Sequence, residues 1–474
     1  MSGGWLLTNG TIVPMDEQRT VIAEGYVQIL DGRITAIGSM SDLNPALEGA
    51  VIDVKGGIIL PGLIDLHLHA GHALTRNLGN SADQWMKNVG DIYSSHVDED
   101  FWAAEAALSA FERIRGGTTT SVPVFGGGDN VLRTDDTLYC EAHLEQVVSS
   151  GLRHTLVLGS GRPPFPKRFT RFPSNAREVV PVTLARQIEV SKQIIERWSG
   201  AGQGRITFAV SAPVVSEAEY SSADTSLRSQ YADCIRSLWE LSQKAGVPFA
   251  QDGHREGSIS FMARTFGIFD ERSMLAHCIN LTSQDVEEIK VKQIKVVFTP
   301  SSLMAVYGRC PAPELLQAGV CVGLATDGPA PDRPLDMFRN MFMAHRLQAW
   351  HARDETVLSA WQILEMATIK GAEALGLDHE IGSLKVGKKA DIVVVDTRGA
   401  HIWPLYNPVE RLVFYAGAAD VTTVMVDGRV LMRDRIVLTL DDESVRARAA
   451  AAFDRMIRRW NRNCLPPALM RQID

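Results

Sequence analysis

Hydrophobic positions along the chain change their spacing twice, which separates two β-like ends from an alternating middle. Residues 1–60 carry short runs of strand formers broken by turn dipeptides. Trp5-Leu6-Leu7-Thr8-Asn9-Gly10-Thr11-Ile12-Val13 places such residues around Asn9-Gly10, which reads as a turn, and Tyr26–Leu30 meets Arg33–Ile37 across Asp31-Gly32, the signature of a two-residue hairpin. The end of the chain answers in kind. Ala390–Asp396 reads as a strand, and Thr422–Val430 as a hairpin turning at Asp427-Gly428. Residues 1–60 and 386–474 are therefore expected to share one small β-sandwich, with a helix at the C-terminus.

Between them, residues 61–385 alternate short apolar runs with amphipathic stretches. Strands are predicted at Gly62–Leu68, Thr118–Val124, Thr155–Leu158, Thr207–Ser211, Pro248–Gln251, Ser273–His277, Lys295–Phe298 and Val320–Ala325. Helices fall between them, among them Glu99–Arg115, Thr183–Ser199, Ser226–Lys244 and Thr282–Lys290. Eight strand–helix units in series predict an α/β fold, a (β/α)8 TIM barrel, rather than an open doubly wound sheet. No Gly-x-Gly-x-x-Gly follows the first strand; Gly126-Gly127-Gly128 is the nearest glycine loop, so dinucleotide binding is not expected. The Pro- and aromatic-rich run from Arg162 to Pro173 reads as an irregular loop over the barrel mouth, either a solvated loop or a substrate lid.

Composition narrows the class. The chain has 474 residues, 45% hydrophobic and 22% charged, which is ordinary globular usage and excludes wholesale disorder. Its 48 Lys+Arg against 56 Asp+Glu leave a net charge of −8, so no basic stripe for nucleic acid is expected. Six cysteines without a Cys-x-x-Cys pair suit buried, reduced thiols rather than a disulfide framework. No signal peptide or membrane-spanning run is visible, so a cytoplasmic protein acting on a small molecule, without membrane or nucleic-acid partners, is expected. Amphipathic rim helices add the expectation of a homodimer or higher homo-oligomer.

Chemistry concentrates at strand ends. In Pro61-Gly62-Leu63-Ile64-Asp65-Leu66-His67-Leu68-His69, alternation puts His67 and His69 on one strand face, where two imidazoles can share a divalent metal at the barrel's catalytic end. His72 reads as a loop residue behind them. Asp327, in Gly323-Leu324-Ala325-Thr326-Asp327-Gly328, can ligate metal and accept a proton from water, or simply form a turn before glycine. His277, in Met274-Leu275-Ala276-His277-Cys278, ends another strand as a functional or a core histidine. Trp85, Phe165, Phe169, Phe172, Phe298 and Tyr307 either line the mouth or pack.

These motifs, with Gly116-Gly117-Thr118-Thr119-Thr120 and Gly382-Ser383-Leu384-Lys385-Val386-Gly387-Lys388-Lys389-Ala390-Asp391, resemble the metal-dependent amidohydrolase superfamily, in the branch of cytosine deaminase, guanine deaminase and the triazine hydrolases. The resemblance spans nearly the whole chain. It implies one divalent metal, zinc first and iron or manganese as alternatives, held by His67, His69, a strand-five histidine and Asp327. It also implies that Asp327 takes the proton of the attacking water while His277 positions it. Strand five departs from the pattern in Phe249-Ala250-Gln251-Asp252-Gly253-His254-Arg255-Glu256: the expected histidine falls near Asp252, His254 lies two residues on, and neither is followed three residues later by the usual proton-shuttling glutamate. His254 is the favoured ligand and Asp252 its rival; Glu256 or Asp252 is left as shuttle, and Asp252, Phe298 and Trp85 as substrate contacts. Phe298 stands where relatives often carry histidine, implying a more apolar pocket. The activity implied is hydrolysis of a C–N bond on a small nitrogen heterocycle, with an amide, urea or carbamate hydrolase as the second reading and a non-catalytic barrel as the third.

Overall fold

Stretches with a two-residue apolar period become strands and those with a helical period pack over them, in a computed structural model that describes residues 4–127, 132–302 and 307–460. Gly128, Cys464 and the chain beyond residue 460 lie outside the described residues. From the N-terminal end come β1 (Trp5–Ile12), β2 (Ile22–Leu30), β3 (Arg33–Ser39), β4 (Ala50–Asp53) and β5 (Ile58–Pro61). The middle supplies β6 (Leu63–His69), β7 (Thr118–Val124), β8 (Arg153–Gly159), a hairpin of β9 (Lys167–Arg171) and β10 (Glu178–Val182), then β11 (Ile206–Ser211), β12 (Phe249–Asp252), β13 (Ser273–Ala276), β14 (Lys295–Phe298) and β15 (Val322–Leu324). The last elements are β16 (Ile392–Val395), β17 (Val421–Val426), β18 (Arg429–Arg433) and β19 (Ile436–Val437).

Eight parallel strands, β6, β7, β8 and β11 to β15, run in one sheet in the order β15-β14-β13-β12-β11-β8-β7-β6. The ends close on each other: the Asp327 amide just past β15 donates to the His67 carbonyl on β6 at 2.8 Å. A Cβ at Gly323 would lie 2.2 Å from Leu66 Cδ1, so glycine is what lets the closing strands approach. Alternate residues serve the two faces. Leu66, Val122, Val157, Met274, Ala276 and Val297 fill the barrel interior, while Leu156, Phe208, Phe249, Leu275, Val296 and Leu324 meet the helical layer. Helices between strands start on side-chain caps, Asp98 for Glu99–Arg115, Asp224 for Thr225–Ala245 and Thr282, in a capping box, for Ser283–Val291.

Both ends of the chain build a single nine-stranded sheet. It folds back on itself around Leu7, Val27, Ile34, Ile392, Val394 and Met425, and the Ala390 amide reaches the Gly32 carbonyl at 2.9 Å, which brings the β2–β3 turn against the start of β16. A buried ion pair welds the sheet to the barrel: Arg153, opening β8, meets Asp391 at 3.2 Å and Asp427 at 2.6 Å. The terminal helix Asp442–Arg459 returns to Glu99–Arg115, where Arg459 pairs with Asp98 at 2.7 Å.

Two expectations change. Asn9-Gly10 is a bulge within continuous β1 rather than a turn, because the pairing with β2 skips a residue between Leu7 and Gly10 and Asn9 takes a φ of 59°. The run after Arg162 is also ordered: Lys167–Arg171 pairs with Glu178–Val182, and Phe169 is buried with its ring 5.0 Å from the Arg133 guanidinium.

Candidate active site

The C-terminal ends of β6, β12, β13 and β15 converge on one point. His67 and His69 end β6, where a one-residue register shift between Asp65 and Leu68 lets Leu66 and His67 both line the interior. Their Nε2 atoms lie 3.1 Å and 3.3 Å from Asp327 Oδ1. His69 is turned by its other nitrogen, 3.1 Å from the Gly126 carbonyl. Asp327 adopts a left-handed φ of 62°, which lifts its carboxylate off the strand toward the imidazoles.

Strand five contributes Asp252. Its Oδ1 is 3.9 Å from His67 Nε2 and 3.8 Å from His277 Nε2, and His277 Nε2 is 3.9 Å from Asp327 Oδ1. His277 is oriented by Thr299 Oγ1, 2.8 Å from its Nδ1. His67, His69 and Asp327, and likewise His67, Asp252 and His277, each place one ligand atom within 4.8 Å of the others. These residues fit a divalent cation. His67 Nε2 is buried with no hydrogen-bond partner although a carboxylate oxygen sits 3.1 Å away, so it faces the shared centre rather than the oxygen.

Behind the cluster lies a second layer. The wholly buried Asp65 accepts from the Thr326 amide at 3.0 Å and from its hydroxyl at 2.6 Å, pinning the residue before Asp327. Arg333 Nη2 contacts Asp327 Oδ2 at 3.1 Å. His72 stacks on His69 with ring centres 4.5 Å apart, and Trp85 meets the far edge of His72 at 4.7 Å. A Cβ on Gly328, whose φ is 80°, would sit 3.0 Å from His72 Nδ1, so the close turn after Asp327 needs glycine.

Burial and charge compete at every group. Burial would raise the Asp327 carboxyl, but the imidazoles of His277, His67 and His69 and the Arg333 guanidinium hold it well below the usual range. Asp252 is lowered in the same way, burial being outweighed by His277, His67 and His254. Burial pushes His277 down to about 4, its two carboxylate neighbours notwithstanding, and keeps it neutral at pH 7. Burial likewise holds His72 well below the ordinary imidazole range.

The structure gathers His67, His69, His277, Asp327 and Asp252, and leaves five sequence-predicted residues elsewhere. His254 is displaced by Asp252 from the strand-five position: β12 ends at Asp252, and the Gly253 amide turns onto the Ala276 carbonyl at 2.7 Å. The strand does not continue, so His254 stands at the half-buried rim with Nδ1 3.8 Å from Asp252 Oδ2. Glu256 is exposed on the following loop and makes no ion pair among the described residues. Phe298 faces the helical layer, because Val297 takes the interior position of β14. Trp85 is buried behind His72 and donates to the Thr75 carbonyl at 2.7 Å, so it backs the site instead of lining it. Tyr307 is 79% exposed. Sequence reasoning missed Arg333 and the Thr299 contact, while Arg255, three residues after Asp252 where the glutamate is expected, pairs with Glu219. Asp65 stood within the quoted histidine motif as a charge between apolar residues; Arg333 gave no periodic signal in its Pro-rich loop.

Comparison with known proteins places this geometry. The amidohydrolase family model matches residues 58–157 and 242–431. The chain is 30% identical over 461 residues to a 5′-deoxyadenosine deaminase of Methanosarcina mazei, covering 96% of this chain and 99% of that one. It is 28% identical over 443 residues to 5-methylthioadenosine/S-adenosylhomocysteine deaminase 1 of Syntrophus aciditrophicus, covering 92% and 94%. Among solved structures, an adenosine deaminase from Xanthomonas campestris with bound zinc superposes with a TM-score of 0.78 at 23% identity, over 95% of this chain and 98% of that chain. Atrazine chlorohydrolase from Arthrobacter aurescens, with zinc, gives 0.76 at 20% identity, over 95% and 100%. The chain thus belongs to the amidohydrolase family and is a hydrolase of non-peptide C–N bonds, of the type that deaminates a small nitrogen heterocycle.

Proposed function

We propose that the substrate is an aminopurine nucleoside altered at its 5′ position, deaminated at the ring, and that the reaction uses one divalent metal, zinc first, held by His67, His69, Asp252 and Asp327. The observation that carries this reading is the meeting of three imidazoles and two carboxylates at the barrel mouth in a chain that matches nucleoside deaminases nearly end to end. The metal supplies Lewis acidity, bringing the pKa of water toward about 7.

Everything else falls to the protein. Asp327 accepts the proton of the attacking water and passes it toward the departing amine. His277 acts as a neutral donor. Thr299 Oγ1 lies 2.8 Å and the Ser302 hydroxyl 3.3 Å from His277 Nδ1; with a hydroxyl donating to Nδ1, the ring proton sits on Nε2. That N–H faces the place where negative charge develops on the oxygen adding to the ring. The ring nitrogen needs a proton too, and Arg255 replaces the expected glutamate. His254, at the rim beside Asp252, is assigned that transfer.

The Arg255–Glu219 pair also supports a second reading, an amide, urea or carbamate hydrolase, in which no ring nitrogen is protonated. Zinc-loaded protein incubated with adenosine, 5′-deoxyadenosine and 5′-methylthioadenosine decides. Ammonia release with the ultraviolet shift from aminopurine to oxopurine supports deamination; turnover of amides or carbamates alone sinks it. We further propose a cytoplasmic homo-oligomer. The five described cysteines are buried and in no disulfide, no helix among the described residues is long and apolar enough to cross a membrane, and Phe342, Trp350, Tyr406 and Tyr415 leave aromatic surface open. Sedimentation at micromolar concentration tests the assembly, and a monomer refutes it.

A further inference from the structure

The candidate metal cluster holds two carboxylates, and one buried cation faces them from outside the donor set. Arg333 Nη2 sits 3.1 Å from Asp327 Oδ2, and the two side chains are only 9% and 10% exposed. The remaining oxygen, Oδ1, is the one that meets His67 and His69. Arg333 has little else to hold it. Nη1 reaches Asp332 at 3.2 Å, but that carboxylate is 64% exposed, and Nε is buried without a partner. A guanidinium kept from water with one donor unmatched is expensive to bury, so its main compensation is Asp327.

We propose that Arg333 is a positioning residue that occupies Oδ2 of Asp327, presents Oδ1 alone to the centre, and balances the charge that the second carboxylate, Asp252, adds to the site. This rests on the metal reading above. Two carboxylates cancel a divalent cation. When the attacking water gives its proton to Asp327 and adds to the substrate, negative charge passes from the Asp327 carboxylate to the adding oxygen with the total unchanged, and among the described residues Arg333 is the buried cation in contact with the cluster that keeps it offset. The proton lost by water goes to Asp327, and no other bond is made or broken by Arg333.

The proposal ties Arg333 to Asp252, although their side chains are not in contact. A neutral ligand at position 252 would remove the excess negative charge and make Arg333 dispensable. The test compares Arg333→Gln, Arg333→Lys, Asp252→His and the double variant Asp252→His/Arg333→Gln in the full chain. Arg333→Gln should lower kcat by about 10- to 100-fold with KM within about threefold, and Arg333→Lys should recover most of it. The double variant should exceed the product of the two single effects by about tenfold or more, because one change removes what the other compensates. The visible spectrum of the cobalt-loaded protein should shift in Arg333→Gln, with thermal stability within a few degrees of the parent.

Three results overturn the proposal: Arg333→Gln at the parent's rate, a double variant no better than the product of the singles, or a loss of rate that tracks unfolding while the cobalt spectrum stays put. If the parent protein takes up neither zinc nor cobalt, the metal reading itself fails and this proposal with it. A metal-replete parent with an unaffected Arg333→Gln sinks this proposal alone.

Discussion

Asp252→Asn separates the two strand-five candidates. The amide is nearly the same size as the carboxylate, so packing beside Ala276 persists while one of two negative charges in the cluster disappears. Asp252 Oδ1 lies 3.9 Å from His67 Nε2 and 3.8 Å from His277 Nε2, close to the centre those atoms surround. A unit charge pair about 4 Å apart is worth about 4 kcal/mol at an effective dielectric near 20, and the amide oxygen retains part of the ligation, so the expected loss is about 3 kcal/mol, or about 100-fold in zinc affinity. His254→Ala should leave affinity within about threefold, since its ring stands at the half-buried rim, and should lower kcat instead. Competition with a chromophoric chelator measures both affinities, and steady-state ammonia release measures the rates. Loss of zinc in His254→Ala with retention in Asp252→Asn would return the ligand to His254. Equal affinity in both would remove strand five from the metal site.

Phe298→Ala should destabilise the protein by about 3–5 kcal/mol in urea unfolding and leave KM within about twofold, because the ring fills the layer between barrel and helices; a raised KM at unchanged stability would put it back in the pocket. Arg153→Met leaves Asp391 buried and unpaired at the seam between the barrel and the terminal sheet, with an expected loss of about 3–5 kcal/mol; an unchanged melting temperature would contradict that weld. His143 and His154 face each other with Nε2 atoms 3.2 Å apart, and burial takes His143 down to about 3 and His154 well below its usual range. The unfolded imidazoles bind protons below about pH 6.5 and the folded ones do not, so stability present above that pH is lost as pH falls toward 3, about 2 kcal/mol for each histidine at pH 5. His143→Gln should remove roughly half of that slope in melting temperature between pH 6.5 and 4.5; an unaltered slope would show that these histidines titrate normally.

Much was legible along the chain. Apolar alternation and turn dipeptides marked the barrel and its β-rich companion, since a strand's period and a hairpin's Asp-Gly turn are local properties. β7, β14 and the helix Glu99–Arg115 fall where the spacing put them, and the interior face of β6 carries both motif histidines. What the spacing could not reveal depended on where strands stop and how the chain leaves them. His254 shared a face with Asp252 only while β12 continued, and the turn at Gly253 ended that; a two-residue difference in strand length exchanged the candidate ligand. Phe298 followed the same rule in reverse, its neighbour Val297 holding the inward position. Asp65 reaches Thr326 only because the barrel closes between β15 and β6, the Thr299–His277 contact needs β13 and β14 side by side, and Arg333 folds back on Asp327 through the irregular loop after β15, so none of the three shows in a local period. Local periodicity determined the class of fold and the pair of histidines proposed to hold the metal; tertiary structure, which sets distances no spacing encodes, decided which carboxylates and which cation surround them.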